Sequence, residues 1–232
     1  MATPSSEERL NLPAFGKRLS LRQTVVESLR GLLISGQMKP GELYSAPKLA
    51  EQFGISATPV REAMLDLVAE GLIEVVRNKG FRVTKLSSEE LDELAEIRRL
   101  IEPPIMAAVA ANPDPVVKEQ VEALRIEARA IVEAAKTKDF LTYVELDTQF
   151  HLKFLALHGN QRLVAEVKEL RGRSRLFGLD ALSESGRLER IAQQHEQLVD
   201  LALAGDAPGI KQLMEEHIDH IRQELAEEVT HD

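Results

Sequence analysis

Asp147 and His151 stand one helical turn apart on a stripe that otherwise reads Phe140, Val144 and Phe154, so a carboxylate and an imidazole interrupt an apolar face. At a spacing of i, i+4 their Cβ atoms lie about 6 Å apart, and both side chains can reach one ion. Two more stripes are broken in the same way. His195 lies between Ile191 and Leu198 on a face completed by Leu188 and Ala202, and His217 lies among Leu213, Met214, Ile218 and Ile221. Helical cores exclude ionisable groups unless these are paired or ligate something. One Asp and three His converging in a bundle core therefore make a candidate site for a divalent transition metal. A single imidazole on such a face is more often a core residue hydrogen-bonded to backbone; four intrusions on three helices are harder to account for that way. His158 precedes Gly159 at a helix end, His220 falls off its stripe and His231 is in the tail, so these three are set aside.

A second constellation lies far upstream. Ser56, Thr58 and Arg61 cluster where a short helix begins, opposite an apolar face made by Val60, Ala63, Met64, Leu67 and Val68. An arginine near the start of a helix can pair bidentately with guanine in a major groove. Lys48 on the preceding helix and Arg77, Lys79, Gly80 and Arg82 around a basic hairpin tip are placed to meet phosphates, which position a protein on DNA without specifying sequence. Taken singly, Thr58 and Arg61 would read as an N-cap and a solvated helix face.

The elements that must hold these groups follow from periodicity. Leu19, Val25, Val26, Leu29, Leu32 and Leu33 recur at helical spacing up to Gly36. After the turn residues Lys39, Pro40 and Gly41, a short helix carries Pro47 in its first turn and Leu49, Ala50 and Phe53 inward, and ends at Gly54. The helix from Thr58 closes at Gly71. The period then becomes extended: residues 72–76 and 81–86 flank Arg77-Asn78-Lys79-Gly80, which predicts a β-hairpin. Ser87 and Glu90 have the spacing of a capping box. Beyond them six helices are expected, at 89–111, 114–136, 138–158, 160–179, 184–204 and 206–228, with Pro103 and Pro104 kinking or breaking the first. The fold class is mainly α: a winged helix-turn-helix over residues 17–86, preceded by a flexible tail over 1–16 and followed over 87–229 by an all-α six-helix bundle.

Composition agrees. The 232 residues contain no cysteine, which excludes disulfides and thiolate metal sites, and only seven Phe, two Tyr and no Trp, which favours helices over a sandwich. No run approaches the roughly 18 apolar residues of a membrane span, so no membrane association and a cytoplasmic location are expected. The net charge of −9 hides an asymmetry. Residues 1–88 carry 12 Lys and Arg against 9 Asp and Glu, whereas residues 89–232 carry 17 against 29. A basic head on an acidic helical body is the charge pattern of a DNA-binding unit joined to a control unit.

The runs Ser35-Gly36-Gln37-Met38-Lys39-Pro40-Gly41, Leu49-Ala50-Glu51-Gln52-Phe53-Gly54-Ile55-Ser56-Ala57-Thr58-Pro59-Val60-Arg61-Glu62-Ala63 and Glu70-Gly71-Leu72-Ile73, with Gly80 in the wing, resemble the DNA-binding domain of the GntR family of bacterial transcription regulators. The resemblance spans about residues 18–86. It departs at Ala57, where the family usually carries Arg, so a base or phosphate contact is missing and the operator sequence cannot be carried over. Asp147-Thr148-Gln149-Phe150-His151, His195-Glu196-Gln197-Leu198 and Met214-Glu215-Glu216-His217-Ile218 resemble the FCD effector-binding domain of the FadR subfamily. Six helices rather than seven correspond to its smaller, VanR-like group. The resemblance implies Zn, Ni or Mn at Asp147, His151, His195 and His217, and an effector-facing arginine at Arg98.

Arg171, Arg173 and Arg175 form a further basic group. Arg98 and Arg175 are taken as effector-binding, because an arginine fork beside a metal clamps a small carboxylate; Arg171 and Arg173 read as surface partners of the many Glu residues. The expected function is a ligand-responsive regulator, a repressor in most of the family. It would act as a homodimer on a near-palindromic duplex operator and answer to a small organic acid. A metal sensor, with the ion as signal, or a purely structural metal fits the same residues. A metalloenzyme does so less well, since no H-E-x-x-H, phosphate loop or Ser/His/Asp order is present.

Overall fold

The computed structural model describes residues 20–34, 36–174 and 179–229. The tail expected over 1–16 lies outside the described residues, as does Arg175. Helix α1 (Leu21–Ile34) buries Val25, Leu29 and Leu33. Strand β1 (Leu43–Tyr44) and helix α2 (Ala46–Phe53) follow, and α2 ends at Gly54, whose φ of 67° is the left-handed conformation that a glycine adopts without Cβ strain. Helix α3 (Ala57–Ala69) turns Val60, Ala63, Met64 and Leu67 inward. Its last carbonyls are satisfied by the N–H groups of Gly71 and Leu72, which donate to Val68 and Leu67 at 3.0 Å each. Strands β2 (Ile73–Val76) and β3 (Gly80–Val83) form the expected hairpin.

The hairpin is one strand richer than the sequence pattern implies. β1 pairs antiparallel with β3, giving the order β1-β3-β2, with Tyr44 and Val75 both opposite Phe81. Two residues are too few to carry a period. Their position explains Gly80, where a Cβ would stand 2.4 Å from the Tyr44 carbonyl oxygen at a φ of +125°. Gly80 has a packing role before any other.

Ser87 starts the body with the capping box in place: its hydroxyl accepts from the Glu90 N–H at 3.2 Å, and the Glu90 carboxylate accepts from the Ser87 N–H at 2.8 Å. The helix that follows, α4 (Ser88–Ala110), runs unbroken through Pro103 and Pro104. Each proline removes a backbone donor, yet α4 packs most extensively on the long C-terminal helix, and the ion pairs Arg99–Asp219 and Arg222–Asp92 clamp the two together. Tertiary packing outweighs the local defect.

The helix expected over 114–136 is two, α5 (Pro115–Ala123) and α6 (Arg125–Thr137), which meet at Leu124. Then come α7 (Phe140–Ala156), α8 (Gln161–Ser174), a short α9 (Leu179–Glu184) where a loop was expected, α10 (Arg187–Ala204) and α11 (Ala207–Val229). With α5 and α6 taken as one stretch, the six expected helices are present and α9 is added. α10 packs on α6 and α11, and α7 on α6 and α8, so α4, α7, α8, α10 and α11 surround a common core containing Met106, Phe150, Phe154, Leu198 and Met214. None of the described helices is long and apolar enough to cross a membrane.

Candidate functional site

In the head, Ser56, Thr58 and Arg61 are all exposed at the start of α3, and Lys48 is exposed on α2. Ser56 is the N-cap residue by backbone conformation, but its side chain makes no capping bond. Arg77 and Lys79 are exposed at the turn between β2 and β3, which Asn78 enters with a φ of 61°. Arg82, by contrast, bonds Glu74 directly across the hairpin at 3.1 Å. Ala57, the first residue of α3, is exposed. The cationic groups therefore project outward from a core made by the opposite faces of the same helices.

In the body the arrangement is the reverse. Asp147, His151, His195 and His217 are each fully buried, and one ligand atom from each lies within 4.8 Å of the others. α7 supplies the first two a turn apart, and α10 and α11 supply one each. His195 Nδ1 lies 2.9 Å from the Ala192 carbonyl oxygen and His217 Nδ1 lies 2.9 Å from Gln194 Oε1. Those contacts place a proton on Nδ1 of each ring, so that Nε2 of a neutral ring is left to serve as a ligand. His195 Nε2 then faces Asp147 Oδ1 at 3.0 Å and His151 Nε2 at 3.1 Å, and His151 Nε2 is 3.9 Å from the same oxygen. Burial, followed by the Arg171 charge and the neighbouring rings, holds the His151 imidazole well below its usual pKa, hence neutral.

Groups at such separations are held together by a proton between imidazole and carboxylate or by a cation among them. Donor atoms roughly 3 to 4 Å apart are what bonds of about 2.1 Å radiating from one centre produce, and three neutral imidazoles with one carboxylate form a set suited to Zn, Ni or Mn. The residues present fit such an ion. His158 and His220 are exposed and take no part.

The structure adds residues to this site that the sequence reading placed elsewhere. Arg171 is not a surface partner of Glu: it is fully buried, donating from one terminal nitrogen to Asp147 Oδ2 at 2.7 Å and from the other to Glu102 Oε2 at 2.5 Å. Arg98, expected to face an effector, is buried beside the cluster and donates from Nε to Glu102 Oε1 at 2.6 Å. Arg98, Glu102, Arg171 and Asp147 therefore form one continuous chain ending at the histidines. Burial lowers the pKa of both guanidiniums, opposed by Glu102, and neither loses its charge. Tyr143, buried one turn before Asp147, also faces Arg171. Glu102 and Arg171, which the sequence reading did not assign to the site, carry the same signal as Asp147 and the anticipated Arg98. Arg98 and Glu102 interrupt the stripe Leu91, Ala95, Met106 and Val109, and Arg171 follows Val167 by four.

The comparisons with known proteins agree with this organisation. Residues 21–83 match "Bacterial regulatory proteins, gntR family", and residues 93–220 match the FCD domain. The HTH-type transcriptional repressor RspR of Escherichia coli (strain K12) is 26% identical over 216 residues, 90% of this chain and 89% of its own length. A protein of Paenarthrobacter nicotinovorans described as "Probable D-xylose utilization operon transcriptional repressor" is 29% identical over 211 residues, 89% of this chain and 91% of that protein. Among solved structures, E. coli McbR/YncC matches with a TM-score of 0.69 at 26% identity, over 91% of this chain and 99% of that one. An exposed cationic head built as a winged helix-turn-helix, carried on a helical body with the FCD pattern, places this chain in the gntR family of bacterial regulatory proteins, as a transcriptional regulator rather than an enzyme.

Proposed function

We propose that the chain works as two units, residues 17–86 reading duplex DNA and residues 87–229 holding a divalent metal and a small carboxylate effector that together set operator affinity. The observation that carries the second half is the buried Asp147, His151, His195 and His217 cluster joined to the Arg98–Glu102–Arg171 chain. A divalent Zn, Ni or Mn ion held by those four residues would supply a Lewis-acidic seat for an oxygen of the effector. Asp147 divides its carboxylate, one oxygen toward the imidazoles and one toward Arg171, so the arginine fixes the ligand's orientation. Arg98, and Arg175 outside the described residues, are assigned to the effector.

In the head, Arg61 reads base edges from the start of α3, with Ser56 and Thr58 beside it, while Lys48, Arg77, Lys79 and the backbone at Gly80 hold phosphates. A homodimer would set two such helices in successive major grooves of a near-palindromic operator. The repressor names of the two relatives support repression, and the chain would act in the cytoplasm. An effector can alter DNA affinity only by binding the two arrangements of the heads unequally. Gel retardation of the DNA upstream of its own gene tests the reading: retardation that changes with small organic acids is expected. Operator affinity indifferent both to such acids and to chelation would contradict it. A response to metal titration alone would make the ion itself the signal.

A further inference from the structure

The chain Arg98–Glu102–Arg171–Asp147 has a property that the metal cluster does not need. Glu102 Oε1 accepts from Arg98 Nε at 2.6 Å and Oε2 from Arg171 at 2.5 Å, one oxygen for each guanidinium, and all three side chains are 0–2% exposed. A carboxylate bridging two arginines is how such residues bind an acid that arrives from solution. Here the acid is part of the chain. With both arginines and both carboxylates ionised, the four charges sum to zero. Both guanidiniums already face a carboxylate before any ligand enters.

We infer that Glu102 is a resident competitor for the carboxylate seat between Arg98 and Arg171, and that it sets which acids the site accepts. The inference rests on the organic-acid reading above. An incoming monodentate carboxylate offers the arginines only what Glu102 already gives them, and Glu102 is held in place by α4 without the cost of association. It therefore loses. An acid with a second donor, a hydroxyl or another carboxylate directed at the histidine cluster, gains a contact that Glu102 cannot make, and it displaces Glu102 from at least one arginine. The selected class is the chelating hydroxy acids and dicarboxylates, with simple monocarboxylates excluded.

Displacement has a place to act. Glu102 lies on α4, whose first turn is locked by the Ser87 and Glu90 capping box directly after the head. Two residues after Arg171, the Arg173 stem passes beside Gly71, where a Cβ would lie 3.7 Å from Arg173 Cγ. Both helices that hold the seat thus run to the head.

The test uses the full chain loaded with zinc, titrated calorimetrically with acetate as the monodentate probe and glycolate as the chelating one, for the parent, Glu102→Gln and Glu102→Ala. The parent should prefer glycolate strongly. Both variants should gain at least about tenfold in acetate affinity, because the internal rival is gone while both buried cations stay. The melting temperature of Glu102→Ala should also rise with added acetate and not with equal chloride. If that variant does not fold, its refolding yield in acetate against chloride reads the same seat, and Glu102→Asp, too short to span both arginines, replaces it in the titration. Unchanged acetate affinity in the variants, with glycolate still bound by the parent, overturns the role of Glu102 alone. Failure of parent and variants alike to take either acid removes the organic-acid reading, and the competitor with it.

Discussion

The head and the body keep their polar functional groups in opposite places. Ser56, Thr58, Arg61, Lys48, Arg77 and Lys79 stand in solvent on the outer faces of elements whose inner faces make the core, whereas Asp147, His151, His195, His217, Arg98, Glu102 and Arg171 are the core. A DNA-reading face meets a rigid duplex many times its size and must be exposed. A site that holds a small ligand gains strength from exclusion of water, because every ionic contact there acts at low dielectric. Under the proposed function, recognition and folding are separable in the head and coupled in the body.

Substitutions can break or sharpen that contrast. The largest effect belongs to Asp147→Ala, which strips Arg171 of one partner and the histidines of their carboxylate; breaking a buried pair costs about 3–5 kcal/mol, so thermal unfolding should shift sharply downward while metal content falls to traces. A variant that melts like the parent would show that the body's site is as dispensable to folding as the head's. Next is Gly80→Ala, the exception inside the head, where a Cβ meets the Tyr44 carbonyl at a positive φ. About 1–3 kcal/mol of strain should appear as lost stability together with weaker DNA binding.

Arg61→Ala should act on binding alone. Its loss should cost about 1–3 kcal/mol of operator discrimination, read by competition with non-specific DNA, with an unchanged circular dichroism melt. A lowered melting temperature would place Arg61 in the fold rather than on the DNA. The smallest effect is expected at the junction. Ser87→Ala removes an N-cap worth about 1 kcal/mol. Its Glu90 partner, which accepts from the Ser87 N–H and hydroxyl, titrates below the usual carboxylate range. The stabilisation from the box is therefore complete above the unfolded carboxylate value and fades as pH falls through the folded one. The Ser87 N–H bond, the larger cause, survives in Ser87→Ala, so acid melts of parent and variant should both lose stability, their difference narrowing only by the bond from the hydroxyl to the carboxylate.

How far the sequence discloses each region follows the same division. Glycines at 54, 71 and 80, the Ser87 and Glu90 spacing and the switch from helical to extended period mark the head and the junction, because local backbone chemistry decides those elements. β1 escapes because two residues have no period, and the break at Leu124 escapes because no glycine or proline marks it. In the body, Asp147, His151, His195 and His217 stand out as polar intrusions on aromatic and aliphatic stripes. Arg98, Glu102 and Arg171 intrude in the same way, but α4 and α8 carry many charges, and nothing local tells the buried one from its solvated neighbours. Pro103 and Pro104 show the converse, a strong local signal overruled by packing against α11.

The coupling of the two regions is tested most directly by the operator affinity of chelator-stripped protein, measured by fluorescence anisotropy as zinc is returned one equivalent per chain in the presence of glycolate, with Asp147→Ala alongside. Metal return should change operator affinity by about fivefold or more, the lower range of ordinary allosteric coupling, and leave Asp147→Ala unmoved. Equal affinities for stripped, reloaded and variant protein would show that the buried cluster does not govern the head.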